Sequence, residues 1–500
     1  MSAPQPSSEF RPVGSVDPKQ ALLPYAGAWN PRLAAHLLRR AGFGGSPADI
    51  AATAGLGMNG AVDRLMQPVP DPLPAVPNAD LSFGPMVDPV QRRNAYLAAI
   101  GWWVDRMLQT PNPLVERMVY FWHNHFTSAI DGPITPGLMV RQNNLFRSNA
   151  LGNFADLTHQ ASRDPAMLFY LNGNQNRKQH PNENYARELM ELFTMGVGNY
   201  SEQDVRESAR AFTGWVVRPG DDTVPVFVDR LHDDGDKTFL GQTGNFNGDD
   251  IIDIIMQQPV TASFVAKKLL RQFVYDDPEP ELIDAVASRF RSSGYNIGAV
   301  MDTLLRSNVF YSSRAYRSLV KAPVDVVVGA LKTVGVTSST PRIIGAMAAM
   351  NQTLMHPPNV AGWPGGAQWL NQGTILARLN FLNQLVSFHR PAAPAMGSAM
   401  QSAEMQTQAP AQAQLQAMPA MPDPLTWIAG ISMTDPGAVA ERVLSLAVQD
   451  DATEEQRRSV MLFLQTDSVG NPVDLNMENI DEKVRGAMSL AMALPAYQLA

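Results

Sequence analysis

The chain has 500 residues, 45 % of them hydrophobic and 17 % charged, enough for two or three domains or one large domain with an appendage. Its net charge of −8, spread without blocks of like charge, argues against general nucleic-acid binding, which needs a basic surface. With no cysteine, disulfides, iron–sulfur clusters, thiolate metal sites and cysteine nucleophiles are excluded, and no apolar run approaches the roughly 18–20 residues that span a bilayer.

Residues 1–28 are rich in Pro, Ser and Gly and are expected to form a loose arm. The opening stretch has neither the apolar segment nor the arginine pair of an export signal, so the chain as written is expected to be cytoplasmic. Helical signals begin at NPRLAAHLLRRAGFGGSPADI, where Asn30 can cap, Pro31 suits the first helical position, and Leu33, Leu37 and Leu38 form a stripe. Gly42, Gly44 and Gly45 stop that helix, and Ser46-Pro47 opens the next. A Pro-rich loop over 67–89 then leads into a long helical pattern from about Val90 to Gln109.

ERMVYFWHNHF, residues 116–126, places two histidines inside an aromatic run. As a helix, 114–126 presents Leu114, Val115, Met118, Val119, Trp122 and Phe126 on one apolar face. Two positions are separated by about 200° of rotation, so His123 and His125 point apart and cannot chelate one ion. The His-Asn-His nuclease reading also fails, because that signature draws its residues from separate elements. Either both histidines are structural, or one faces a cavity and reaches the 183–188 segment.

HPNENYARELMELFTMG, 180–196, reads as a helix capped by Asn182, with Tyr185, Leu189, Leu192 and Phe193 buried and a stop at Gly196. Asn184, Arg187, Glu188 and Glu191 fall on the other side. They form a solvated face with an Arg187–Glu191 pair, or, with Glu183, face a cleft and meet a histidine to bind a divalent metal or share a proton. SEQDVRESARAFTG is a further helix from a Ser201 cap to Gly214. Residues 215–250 then turn irregular, with one short β-hairpin expected. Within them Asp233, Asp234 and Asp236 around Gly235 resemble part of a calcium loop, without its full register, and turn chemistry explains them equally well.

TASFVAKKLLRQFV carries Phe264, Val265, Leu269 and Phe273 at helical spacing, and helices continue through about 335, then around 340–355 and 373–390. HPPNVAGWPGGAQWLN, 356–371, combines stiffening prolines, permissive glycines and two tryptophans. It is either a rigid wall presenting Asn359 and Trp363 to a ligand or a plug for the core. Residues 391–424 are of low complexity and read as a linker, whose irregularly spaced methionines are better explained by composition than by copper. A helical section over 425–500 follows. The fold class is mainly α, a large multi-helix domain over 29–390 with long irregular loops.

In order, ERMVYFWHNHF, NENYARELMELFTMGVGNYSEQDVRESARAFTGW, HDDGDKTFLGQTGNFNGDD and PPNVAGWPGG resemble the bacterial proteins catalogued as domain of unknown function 1800. AHLLRRAGFGGSPADI and LLRSNVFYSSRAYRSLVKAPVDVVVG fit the same family, and the resemblance covers roughly residues 30 to 390. It implies a large helical protein, often encoded beside an exported, sulfatase-like partner and often itself exported. The matching polar positions are His123, Asn124, His125, Glu183, Asn184, Arg187, Glu188, His232, Asp233, Lys237, Asn359 and Trp363.

Two functional expectations follow. The first is an accessory scaffold acting with the sulfatase-like partner in cell-envelope or matrix biology. The second is an enzyme with His123, His125, Glu183 and Glu188 as catalytic candidates. In that reading His125, Glu183, Glu188 and Asp233 hold a divalent metal, and Asn124, Asn184, Arg187, His232, Lys237, Asn359 and Trp363 line a binding cleft.

Overall fold

Proline sets many of the helix starts. Its fixed φ and missing N–H suit the first turn, and a capping side chain before it accepts an otherwise unpaired backbone N–H. Asn30 does this for Pro31–Ala41 (α1), taking the Leu33 N–H at 3.1 Å, as the sequence leads one to expect. Pro113–His125 (α2), Pro259–Phe273 (α3) and Pro323–Val334 (α4) also begin on proline. The computed structural model describes residues 17, 19–71, 88–217, 224–387, 423–449 and 451–500. Most of the N-terminal arm, the centre of the 67–89 loop and nearly all of the 391–424 linker with its methionines lie outside the described residues.

Among the described residues the protein is mainly α. The 215–250 stretch holds two small antiparallel hairpins rather than the single one expected. Trp215–Val217 (β1) pairs with Pro225–Phe227 (β2), and Lys237–Phe239 (β3) pairs with Gln242–Gly244 (β4). Leu240 and Gly241 join the second pair with φ of 46° and 79°, the left-handed values a two-residue hairpin turn requires. No helix among the described residues is long and apolar enough to cross a membrane.

One continuous core runs from Ala21, ahead of α1, to Tyr497 near the end of the sequence. At its centre lies α2, and this changes the expected amphipathic reading. Leu114, Met118, Val119, Trp122 and Phe126 are fully buried as predicted and Val115 is half-buried, yet Glu116, Arg117, Tyr120, Phe121, His123 and His125 are buried too. A helix enclosed on all sides needs partners for every polar group it carries, which is where the site begins.

The C-terminal helices pack into the same core. Arg317, held at φ 49°, donates to Asp451 at 2.6 Å and to the carbonyls of Val448, Leu499 and Ala496. Asp451 also pairs with Arg32 of α1. The last residues run beside the chain entering α4, with Lys321 N–H donating to Gln498 O at 2.9 Å and Ala500 N–H to Leu319 O at 2.8 Å.

Candidate functional site

Each of the two histidines of α2 takes a different environment. His123 lies among the rings of Trp103, Phe146 and Trp363, with the Gln142 side chain as its nearest polar neighbour. Burial pushes its pKa down to about 3, so it is a neutral core residue. His125 is also buried, but both nitrogens are engaged. Its Nε2 lies 2.9 Å from Phe193 O and its Nδ1 3.1 Å from Lys268 Nζ. A carbonyl only accepts, so Nε2 carries the proton and Nδ1 accepts from the lysine. Burial first, then the Lys268 charge, holds His125 neutral.

His125 therefore meets the far end of the 183–194 segment, through its backbone rather than through a carboxylate. That segment is not one regular helix. Glu183–Glu188 is α-helical and Leu189–Thr194 widens to a π-helix, a departure often found at functional sites. The carbonyls of Leu192 and Phe193, in its last turn, receive Lys268 Nζ at 2.8 Å and His125 Nε2.

The carboxylates expected beside the histidine are engaged elsewhere. Glu183 pairs with Arg187 at 3.2 Å, and Arg187 holds Glu202 through two bonds of 2.8 Å, not Glu191 as the spacing suggested. Glu191 instead accepts from the Tyr200 hydroxyl at 2.7 Å. Burial and then neighbouring Glu191 raise the Glu188 carboxyl, while Asn184 is exposed on the outer face. Asp233 is held by Arg210 at 2.8 and 3.1 Å, which lowers its pKa.

The DDGD turn is not shaped for calcium, because its carbonyls are taken. Buried Lys237 donates to Asp233 O at 2.6 Å and Gly235 O at 2.9 Å. His232 bonds Thr213 O at 2.9 Å and lines a different cavity with Trp215 and Phe227. Of the set His125, Glu183, Glu188 and Asp233, three are thus held by separate partners, and the Glu188 side chain is grouped with none of them. Among the described residues no three His, Asp or Glu side chains are grouped to hold a metal ion.

What the fold does bring together is Asn124, His125 and Trp363. They line a cavity of about 230 Å³ enclosed by α1, α2, α3, the start of α4 and the 361–369 loop. Asn124 Oδ1 accepts the Trp363 N–H at 2.6 Å, fixing the loop against α2, and the Trp363 indole stacks on Tyr120 at 5.6 Å and 9°. So Trp363 both plugs the core and walls the cavity. Asn359 is exposed and caps its own turn through Ala361 N–H at 2.9 Å.

The side chains that give the cavity its character are cations that the motif reading passed over. Arg39, Arg40, Arg117, Lys268 and Arg271 line it, together with Asp276, Asp325 and Ala500, the last residue of the sequence. Arg117 is neutralised by Asp325 at 2.5 Å and anchored by Gly42 O at 2.7 Å. Among the described residues Arg39 and Arg40 form no direct ion pair, though Asp451 and Tyr316 act favourably on Arg39, and Asp276 and Asp325 on Arg40. Arg39 spends one nitrogen on Gln449 Oε1 at 2.6 Å, and Arg40 spends one on Ala315 O and Ser318 Oγ. Nε and Nη2 of Arg39 and Nε and Nη1 of Arg40 are buried without a partner.

Burial, with Arg317 beside Arg39 and with Arg39 and Arg117 around Arg40, pushes their pKa values down to about 10 and about 9. Lys268 is pushed down to about 7 by burial and then Arg271. A usable signal existed in the sequence: Lys268 falls on the stripe of Phe264, Val265 and Leu269, where an apolar residue is expected. The adjacent arginines in HLLRRAG gave none, because basic residues are ordinary in a last helical turn.

No curated protein and no solved structure matches the chain. The family described as "Protein of unknown function (DUF1800)" matches residues 36–499, past the quoted motifs and through the C-terminal helices, and the chain belongs to that family.

Proposed function

We propose that the protein is a helical binding scaffold whose cavity between α1, α2 and α3 receives a compact oxyanion: a sulfate, phosphate or carboxylate, free or as the head of a larger molecule. The observation that carries this is the pair Arg39 and Arg40, 8 % and 2 % exposed, with four guanidinium nitrogens lacking partners. An unsatisfied buried polar group costs about 1–3 kcal/mol, and more when charged. An oxyanion seated in the cavity would offset the guanidinium charges behind its wall, and a turn of those side chains toward it would give the planar, forked geometry that guanidinium groups favour. A cavity of about 230 Å³ suits one such group rather than a drug-sized ligand.

The test is thermal melting in sulfate, phosphate and acetate against chloride at matched ionic strength. Specific stabilisation by one of the oxyanions is expected, since a ligand that binds only the folded state raises stability by mass action. Melting that tracks ionic strength and ignores anion identity would contradict the reading.

The accessory role beside an exported, sulfatase-like protein in cell-envelope or matrix biology is compatible with such a scaffold and is supported by the resemblance. Co-expression followed by co-purification tests it, and two proteins that never form a stable complex would count against it.

A further inference from the structure

Lys268 is an unusual residue to find where it is. It sits half-buried at the flank of the buried stripe of α3, lines the cationic cavity, and no carboxylate among the described residues pairs with it. Its Nζ lies 5.0 Å from the centre of the Phe264 ring, but the charged groups around it are mostly of its own sign. Arg271 follows one turn along the same helix, while Arg40 and Arg117 line the same cavity. Asp325 is committed to Arg117, and Asp276 stands at the exposed side beside Gly366.

The nitrogen is nonetheless held in place. Leu192 O at 2.8 Å and His125 Nδ1 at 3.1 Å both accept from it, and His125 is fixed as an acceptor by its own bond to Phe193 O. A neutral amine has two N–H groups, and these two acceptors use both. Its lone pair then occupies the one remaining tetrahedral position, the position a nucleophile needs free.

We infer that Lys268 is a reactive amine that condenses with the carbonyl of a small anionic aldehyde or oxo acid seated in the cavity. The inference rests on the anion-binding reading, with the arginines holding the anionic group and the lysine meeting the carbonyl carbon. In the step, the Nζ lone pair forms a C–N bond and the carbonyl C–O bond breaks. The oxygen departs as water with the two amine protons, and an imine remains, with no change of oxidation state. His125 Nδ1, already bonded to the amine, orients it, and the two amine protons reach the departing oxygen through solvent at the open side of the cavity.

The full chain is incubated with glyoxylate and sodium cyanoborohydride, which reduces the imine to a stable secondary amine, and labelled lysines are mapped by peptide mass spectrometry. Exposed Lys267, next to it on α3, is the internal reference. Lys268 is expected to label several-fold more than Lys267. Propanal, an aldehyde without the anion, should lose that preference, and excess sulfate should suppress it. Labelling of Lys267 equal to or above that of Lys268, in protein that oxyanions still stabilise, overturns the inference and leaves the anion site standing. Failure of every oxyanion to stabilise the protein removes both.

Discussion

Arg40 shows how a residue can be written plainly in the sequence and still conceal its role. Its place in HLLRRAG reads as a solvated helix end, but packing against Ala315 and Ser318 carries the side chain inward until 2 % of it is exposed. If its charge is kept for a ligand, removing it should not weaken the empty protein. Arg40→Met is expected to melt at or above the wild-type temperature, because buried unpaired charge is destabilising, and to lose its response to oxyanions. A large drop in melting temperature with the anion response intact would contradict this. Lys268 adds a pH dependence. It is protonated below about pH 7 and then adds a positive charge to the cavity, so oxyanion affinity should fall as pH rises through that value. The expected loss is roughly tenfold from about pH 6 to about pH 8 by calorimetric titration, and a flat profile would place the lysine outside the binding step.

At the scale of elements, regular periodicity was legible and its interruptions were not. The caps at Asn30, Asn182 and Ser201 are where the sequence puts them, because a side-chain oxygen ahead of a helix has few other uses. The π-helical turn at Leu189–Thr194 has no comparable signature: the same apolar spacing serves an α-helix, and tertiary contacts with His125 and Lys268 accompany the widened turn. Of the twelve polar family positions, the fold draws Asn124, His125 and Trp363 to the cavity and pairs Glu183 and Asp233 with arginines, which residue type could not reveal. The wall of the cavity depends on Gly362, held at φ 88°, where an added Cβ would fall 2.6 Å from Asn124 O. Gly362→Ala should therefore cost more than about 1 kcal/mol in denaturant melts and weaken oxyanion binding together, since the same movement displaces Trp363. Unchanged stability would mean that the loop has room the structure does not show.

For the whole molecule, the C-terminal section is fastened to the first helix through one carboxylate. Burial raises the Asp451 carboxyl, but Arg317 and Arg32 outweigh it and leave it below its usual value. Its contribution to stability is then present above about pH 4, the ordinary aspartate value, and is lost as pH falls through the lower folded value. Asp451→Asn strands two inward-facing guanidinium groups and is expected to cost about 3–5 kcal/mol, with proteolysis of the 423–500 region as an early sign. Wild-type resistance to protease in that variant would contradict the arrangement. Five of the chain's 39 lysines and arginines line this one cavity, although the overall charge is −8. The most direct test is calorimetric titration of sulfate into wild-type protein and Arg40→Met at low chloride. The account predicts saturable binding near one equivalent to the wild type and none to the variant; equal binding to both, or no saturable heat with either, would contradict it.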